Sequence, residues 1–126
     1  MKVYLAGPIT GHKDYKVKFD SWADIFRGCG FSVISPAVLP EGFEWEEYMH
    51  ICRAMIDTCE GVVFLPGWEK SAGACDEHAY AIDTDRRIFE LSEFKSGHYV
   101  HFKLEHCGAS FDCATIAEVA QMIARL

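Results

Sequence analysis

The fold is indicated first by Val3-Tyr4-Leu5-Ala6-Gly7-Pro8, an apolar run that is closed by a glycine and a proline. Such an unbroken run is typical of a strand buried on both faces of a parallel sheet. Apolar residues then recur at helical spacing over residues 14–27, and Gly28 and Gly30 indicate where this helix ends. The stretch therefore predicts a strand followed by a helix.

The same alternation continues to residue 91. Strands are predicted at 31–34, 62–65 and 87–91, and helices at 44–59 and 72–83, with Ser71 as the N-cap of the last helix. Strands that alternate with helices favour parallel pairing through right-handed crossovers. The sequence therefore predicts an α/β fold with a doubly wound parallel sheet of four or five strands, flanked by helices.

The tail, residues 92–126, is atypical of this pattern. Residues 99–104 predict a strand, and the apolar spacing toward the end predicts a final helix that begins at Asp112 or Thr115 and runs to Leu126. No linker or low-complexity tract separates the tail from the rest. We therefore expect a single domain over residues 1–126.

Composition limits the possible functions. Half of the 126 residues are apolar and the formal net charge is −7, with the cations scattered along the chain, so nucleic acid is not an expected partner. No apolar run is long enough for a membrane span or a signal sequence, and we expect a cytoplasmic protein with no membrane partner. The cysteines are expected to be free thiols. The cluster of His98, His101, His106, Cys107 and Cys113 contains no CxxC pair, so no metal site is predicted.

Two loops are the candidate ligand site, because ligands of doubly wound sheets bind where the strand order reverses. In a flavodoxin-like order this place lies between the first and third strands, which lead into residues 7–11 and 66–74. Ser71 and Gly73 at a helix start would present free amides to an anion. Glu77, further along that helix, is expected to be an ionised carboxylate. Simple connecting loops and an acidic complement to the helix dipole explain the same residues without a ligand.

Other side chains near these loops allow two interpretations. His12 and His78 are candidates for proton transfer, or are ordinary surface histidines. Trp45, Tyr48 and Trp68 are suited to stacking on a flat ring, or to packing at the rim. Cys52 and Cys59 are expected in the core.

Three segments together carry a family resemblance: Val3-Tyr4-Leu5-Ala6-Gly7-Pro8-Ile9-Thr10-Gly11, Trp45-Glu46-Glu47-Tyr48-Met49, and Leu65-Pro66-Gly67-Trp68-Glu69-Lys70-Ser71-Ala72-Gly73-Ala74 with Glu77. Over about residues 1–91 the chain resembles the nucleoside 2-deoxyribosyltransferase-like superfamily and, within it, the DUF4406 group. The resemblance implies a flavodoxin-like fold, a small-molecule nucleoside or nucleotide as partner, and no cofactor. It also implies cleavage of an N-glycosidic bond, by a hydrolase or a transferase.

The resemblance further implies roles for individual residues. Glu77 matches the glutamate that attacks the anomeric carbon, which would form a covalent sugar ester. The expected substrate-binding residues are Tyr4, Gly7, Pro8, Ile9, Thr10, Gly11, Trp68, Ser71 and Gly73. Members with activity on monophosphates are dimers, so the resemblance also implies a homodimer or a higher homo-oligomer.

One departure from the family bears on catalysis. Characterised enzymes carry an aspartate on the helix before the third strand, where this chain has Cys52 or Arg53. Asp57, about one turn later, is the candidate for that catalytic role if the helix register differs. Without it, the chain is expected to bind a nucleotide or an ADP-ribose-like metabolite rather than cleave it.

Overall fold

A computed structural model describes residues 1–93, 100–104, 109–113, 121 and 124–125. Six strands form one sheet in the order β2-β1-β3-β4-β5-β6. The strands are β1 (Lys2–Ala6), β2 (Ser32–Ile34), β3 (Gly61–Phe64), β4 (Arg87–Glu93), β5 (Val100–Leu104) and β6 (Ala109–Cys113). The helices of this part of the chain are α1 (Tyr15–Gly28), α2 (Trp45–Asp57) and α3 (Ala72–Asp83).

Strands β1 to β4 are parallel, and the chain reverses its direction across the sheet between β1 and β3. This arrangement confirms the predicted α/β, flavodoxin-like class. The parallel part has four strands, as predicted, and β5 and β6 add an antiparallel extension on the outer edge of β4. The connections from β4 to β5 and from β5 to β6 are too short for the crossover that parallel pairing needs, so these strands pair antiparallel.

The sheet separates two apolar cores. Val3 and Leu5 of β1 pack with α1, whereas Tyr4 and Ala6 pack with α2 and α3 on the opposite face. This division follows from the alternation of side chains along a strand. It explains why β1 is apolar from Val3 to Ala6 and why β3 is apolar throughout: both faces of these strands are covered.

The helix ends follow local sequence signals. The amides of Gly30 and Phe31 donate to the carbonyls of Arg27 and Phe26, and Gly30 takes a φ of +95°. This is the Schellman pattern, in which a residue with positive φ satisfies the last carbonyls of a helix. Helix α1 therefore ends at the glycines that the sequence indicated.

The tail differs in part from its prediction. The predicted strand at residues 99–104 is confirmed by β5, but Asp112 lies in β6, so a helix does not begin there. Most of the predicted final helix lies outside the described residues, as do His98, His106 and Cys107. The described cysteines, Cys29, Cys52, Cys59 and Cys75, are free thiols as predicted. Within the described ranges, no helix is long and apolar enough to span a bilayer.

Candidate functional site

A cleft of about 1100 Å³ opens at the carboxyl ends of β1 and β3, where the strand order reverses. Its walls come from the loop after β1, from one side of α1, from the start of α2 and from the segment that leads into α3. The volume lies at the upper end of the range for small-molecule sites. The cleft is therefore the candidate site, at the place that the sheet topology predicted.

The loop after β1 supplies Gly7, Pro8, Ile9 and Thr10 to the lining. A side chain at Gly7 would meet Leu65 Cβ at 3.2 Å, so a glycine lets the ends of the two central strands approach each other. Gly11 has a φ of +82° and turns the chain toward α1, but it is not among the residues that line the cleft. The structure thus brings four of the five predicted loop residues to the cleft.

The second loop presents the start of α3 to the same cleft. Ser71 Oγ accepts a hydrogen bond from the Ala74 amide at 3.2 Å, which makes Ser71 the N-cap that the sequence indicated. The amides of the first helical turn have no partners within the helix, so those of Ala72 and Gly73 are available to a ligand. Gly73 lies beneath Met49, whose Cε would be 3.3 Å from an added Cβ.

Glu77 lines the cleft about one and a half turns from the start of α3, and only 4% of its surface is exposed. Its Oε2 is a buried atom with no hydrogen-bond partner in the described part of the chain. Burial raises the pKa of the Glu77 carboxyl to about 8; the Tyr4 hydroxyl lowers it and the charge of Asp76 raises it further. A pKa of about 8 favours the neutral carboxyl at pH 7, contrary to the expectation that Glu77 is ionised.

Tyr4 and Cys52 stand beside Glu77 in the core between the sheet and α2. Tyr4 is fully buried, and although its hydroxyl influences Glu77, no hydrogen bond of ordinary geometry engages it among the described residues. Cys52 lines the cleft, and burial raises the pKa of its thiol to about 11. The residues alone predicted Cys52 in the core, and the family resemblance placed Cys52 or Arg53 where characterised enzymes carry an aspartate. The spacing of Cys52 from Trp45, Tyr48 and Met49 on one face of α2 is the signal that points to the cleft.

Besides Gly11, the cleft lining leaves out four residues that the sequence had singled out: Tyr4, Trp68, His78 and Asp57. The Trp68 ring stacks on His78 at 4.5 Å and packs against Phe64, and it is not part of the cleft lining. His78 is in turn 2.9 Å from a carboxylate oxygen of Glu90. Asp57 is exposed at the end of α2, where its Oδ1 accepts a 2.6 Å hydrogen bond from the Tyr80 hydroxyl. Its position outside the cleft does not suit the predicted catalytic role.

The mouth of the cleft combines aromatic and cationic side chains. Trp45 is 49% exposed, and Tyr48 is held in place because its hydroxyl donates to the Pro40 carbonyl at 2.6 Å. His12, Lys18 and Lys70 are exposed residues of the lining. The two lysines were not singled out from the sequence. Lys70 directly precedes the Ser71 cap, and that adjacency is the signal that identifies it.

A family model described as a domain of unknown function, DUF4406, matches residues 1–90. The chain belongs to the DUF4406 family. This membership confirms the family predicted from the sequence motifs. No curated protein matches the chain.

The fold of this DUF4406 protein is similar to that of a solved structure, a 2-desoxiribosyltransferase from Leishmania mexicana, with a TM-score of 0.60 and 17% sequence identity. The similarity covers 74% of this chain and 65% of that chain, so the chain spans only 65% of the length of that relative. At this identity the comparison shows a shared fold. All residues that line the cleft fall within the DUF4406 match, and the tail lies beyond it.

Proposed function

We propose that this DUF4406 protein cleaves the N-glycosidic bond of a nucleoside or nucleotide, with Glu77 as the nucleophile. The observation that carries the proposal is a buried carboxyl group in the lining of the cleft, with an oxygen that lacks a hydrogen-bond partner among the described residues. Burying a polar atom without a partner costs free energy, and functional sites are where proteins retain such atoms. The similarity in fold to a deoxyribosyltransferase gives the reaction class.

The reaction begins with a Glu77 carboxylate, which forms when the proton of the buried carboxyl is released. One oxygen then attacks the anomeric carbon, the bond to the base breaks, and a sugar ester of Glu77 results. Water, or a second base in a transferase, then takes the sugar and restores the carboxylate. The amides of Ala72 and Gly73 in the first turn of α3 and the glycine loop after β1 hold the sugar or a phosphate group.

The direct test measures free base by chromatography after incubation with deoxynucleosides and with their 5′-monophosphates. We expect Glu77→Gln to lose at least about 10²-fold in rate, because the amide is a poor nucleophile. Asp83→Asn is the matched control, since it converts an exposed carboxyl at the far end of the same helix into an amide. Base release that continues at the wild-type rate in Glu77→Gln would eliminate the proposed role.

A second candidate function is binding of a nucleotide or an ADP-ribose-like metabolite without cleavage. The observation that favours it is Cys52, which lines the cleft where characterised relatives carry an aspartate, together with the position of Asp57 outside the cleft. A thermal-shift screen separates the two functions, because a ligand that binds only the folded state raises the melting temperature. Stabilisation without product supports binding alone, and stabilisation with product supports the enzyme.

The homodimer or higher homo-oligomer implied by the family resemblance is also part of the proposal. Its test is the molar mass in solution from light scattering after gel filtration. A monomer over the whole range of working concentrations would contradict it. The cytoplasmic location stays a prediction, which fractionation of cells that produce the chain can check.

A further inference from the structure

The floor of the cleft around Glu77 has few groups that could protonate a departing base, and His12, Lys18 and Lys70 are exposed residues at the mouth. Among the described residues that line the cleft, the carboxyl groups are those of Glu77 and Glu41, and Glu41 is exposed at the mouth. The thiol of Cys52 is a weak acid because burial raises its pKa to about 11. The Tyr48 hydroxyl already donates to the Pro40 carbonyl. The floor around Glu77 therefore holds a nucleophile with no strong acid beside it.

The leaving group decides whether such an acid is needed. A neutral purine or pyrimidine leaves as an anion unless a proton is supplied, and general acid catalysis by a positioned group contributes about 10²–10⁴-fold to a rate. A base that already carries a positive charge, such as a pyridinium or an N7-alkylated purine, leaves as a neutral molecule. Such a substrate requires a nucleophile and no proton donor.

The electrostatics around Glu77 favour the same class of ligand, because the lysines of the lining, Lys18 and Lys70, are exposed residues at the mouth of the cleft. No lysine or arginine of the described chain is among the groups that shift the pKa of Glu77, which responds to burial, Tyr4 and Asp76. A cationic ring next to Glu77 would supply the missing opposite charge and favour the carboxylate. The exposed face of Trp45, with Tyr48 beside it in the lining, offers aromatic rings to a flat cation.

We propose that the preferred substrate is a cationic N-glycoside, in which the sugar carries a positively charged heteroaromatic base. This inference rests on the proposed function. An oxygen of the Glu77 carboxylate bonds to the anomeric carbon while the electron pair of the C–N bond moves into the ring, which leaves neutral. Water then cleaves the ester, giving the free sugar, the Glu77 carboxylate and one proton released to the solvent.

The first experiment compares substrates that share a sugar and a purine and differ in one methyl group and the charge that it confers. The pair is 7-methylguanosine and guanosine. Nicotinamide riboside tests the same chemistry with a pyridinium ring as the leaving group. Because cationic glycosides also hydrolyse faster in water, each kcat/KM is divided by the spontaneous rate. We expect this ratio to be at least about 10²-fold larger for one or both cationic substrates than for guanosine, and lost in Glu77→Gln.

The outcomes separate the inference from the proposed function. Equal normalised rates for 7-methylguanosine, nicotinamide riboside and guanosine, all lost in Glu77→Gln, would overturn the inference and keep the function. Cleavage of guanosine that depends on His12, seen with His12→Ala, would also overturn the inference, because it reveals a proton donor. Release of no base from any substrate would sink the proposed function itself.

A second measurement does not depend on turnover. The probes are 1-methylnicotinamide and nicotinamide, which share a ring and differ in charge, and the readout is the melting temperature. We expect the cation to stabilise the wild-type protein more than the neutral ring does, and this difference to disappear in Glu77→Gln. Equal stabilisation by the two probes would contradict the electrostatic basis of the inference.

The variant Cys52→Asp adds an acid where Cys52 lines the cleft. We expect it to raise the rate on guanosine by a larger factor than the rate on 7-methylguanosine. A folded Cys52→Asp protein that gains nothing on guanosine would count against the account of the missing proton donor. If the variant does not fold, the substrate comparison in the wild-type protein remains decisive.

Discussion

Two physical effects act on the Glu77 carboxyl in opposite directions. The positive end of the α3 dipole favours the charged form, but its influence falls off within the first turn. Removal of the carboxyl from water favours the neutral form, and Glu77 is only 4% exposed. Because Glu77 is the sixth residue of α3, burial dominates and raises its pKa to about 8.

This proton makes the stability of the protein depend on pH. Between the ordinary pKa of 4.5 and the folded value of about 8, the folded state holds a proton that the unfolded state has released. The free energy of unfolding should therefore fall as pH rises through this window, by a few kcal/mol at most, and level off above it. Urea titrations from about pH 5 to pH 9 measure the slope. The slope should be absent in Glu77→Gln, and an unchanged slope in that variant would contradict the assignment.

The same proton predicts the pH dependence of activity. If the carboxylate is the nucleophile, kcat/KM should rise with pH, reach half of its maximum near pH 8 and level off about one pH unit higher, because the pKa of the nucleophile in the free enzyme controls kcat/KM. Measurements with nicotinamide riboside, whose pyridinium ring keeps its charge across this range, and a buffer blank at each pH give this profile. A rate that falls through the same range would show that the protonated form of Glu77 is the active one.

The sequence was informative about this site only where the interactions are local. Ser71 could be predicted as an N-cap because the capping bond to Ala74 spans three residues. The protonation of Glu77 could not, because it depends first on burial and then on Tyr4, which a distant segment brings to the same core. Trp68 was misjudged for a similar reason, since its ring is engaged by Phe64 and His78.

Among the elements, β3 depends most on having no side chain at its first residue, Gly61. Gly61 begins the strand between Val3 and Arg87, and a Cβ there would lie 2.9 Å from Phe89 Cε2. Gly61→Ala should therefore destabilise the protein by about 1–3 kcal/mol, because the buried ring must move. Gly28→Ala is the matched control: it has open space, lies at the end of α1, and should stabilise the protein by about 0.5–1 kcal/mol.

Chemical denaturation of the two variants checks both signs. A loss of stability in both would indicate that glycine is needed for its backbone freedom at either place. Equal stability of Gly61→Ala and the wild-type protein would show that Phe89 relaxes at little cost. Gly28→Ala in α1 and Gly61→Ala in β3 thus test the packing through stability changes of opposite sign.

The main elements could be predicted because each carries its own pattern. Strands β1 to β4 and helices α1 to α3 lie within a few residues of their predicted positions, since continuous apolar runs and helical spacing differ clearly. Strand β6 was not predicted, because its place in the sheet is set by pairing with β5 rather than by a pattern in its own residues. Asp112, predicted as a possible helix start, is paired with His101 instead.

At the scale of the whole molecule, the sheet extends beyond the residues that match the DUF4406 family model. The match ends at residue 90, whereas β4 continues to Glu93 and its outer edge pairs with β5 in the tail. An unpaired edge of a sheet attracts other chains, and the antiparallel hairpin covers the edge of β4. The tail is therefore expected to belong to the same cooperative unit as the parallel sheet.

A proline in the middle of β5 tests this cooperativity. His101 pairs with Ser92 on one side and with Asp112 on the other, so its amide lies between two strands. His101→Pro removes a ladder donor and should cost about 1–3 kcal/mol or more. His101→Ala retains the amide and controls for loss of the side chain. If the sheet is one unit, the proline variant should show a single unfolding transition at lower temperature, with faster amide exchange in β1 and β3 as well as in β4. Two transitions, with β1 and β3 as protected as in the wild-type protein, would show instead that the hairpin unfolds by itself and that the cleft is built on the parallel strands alone.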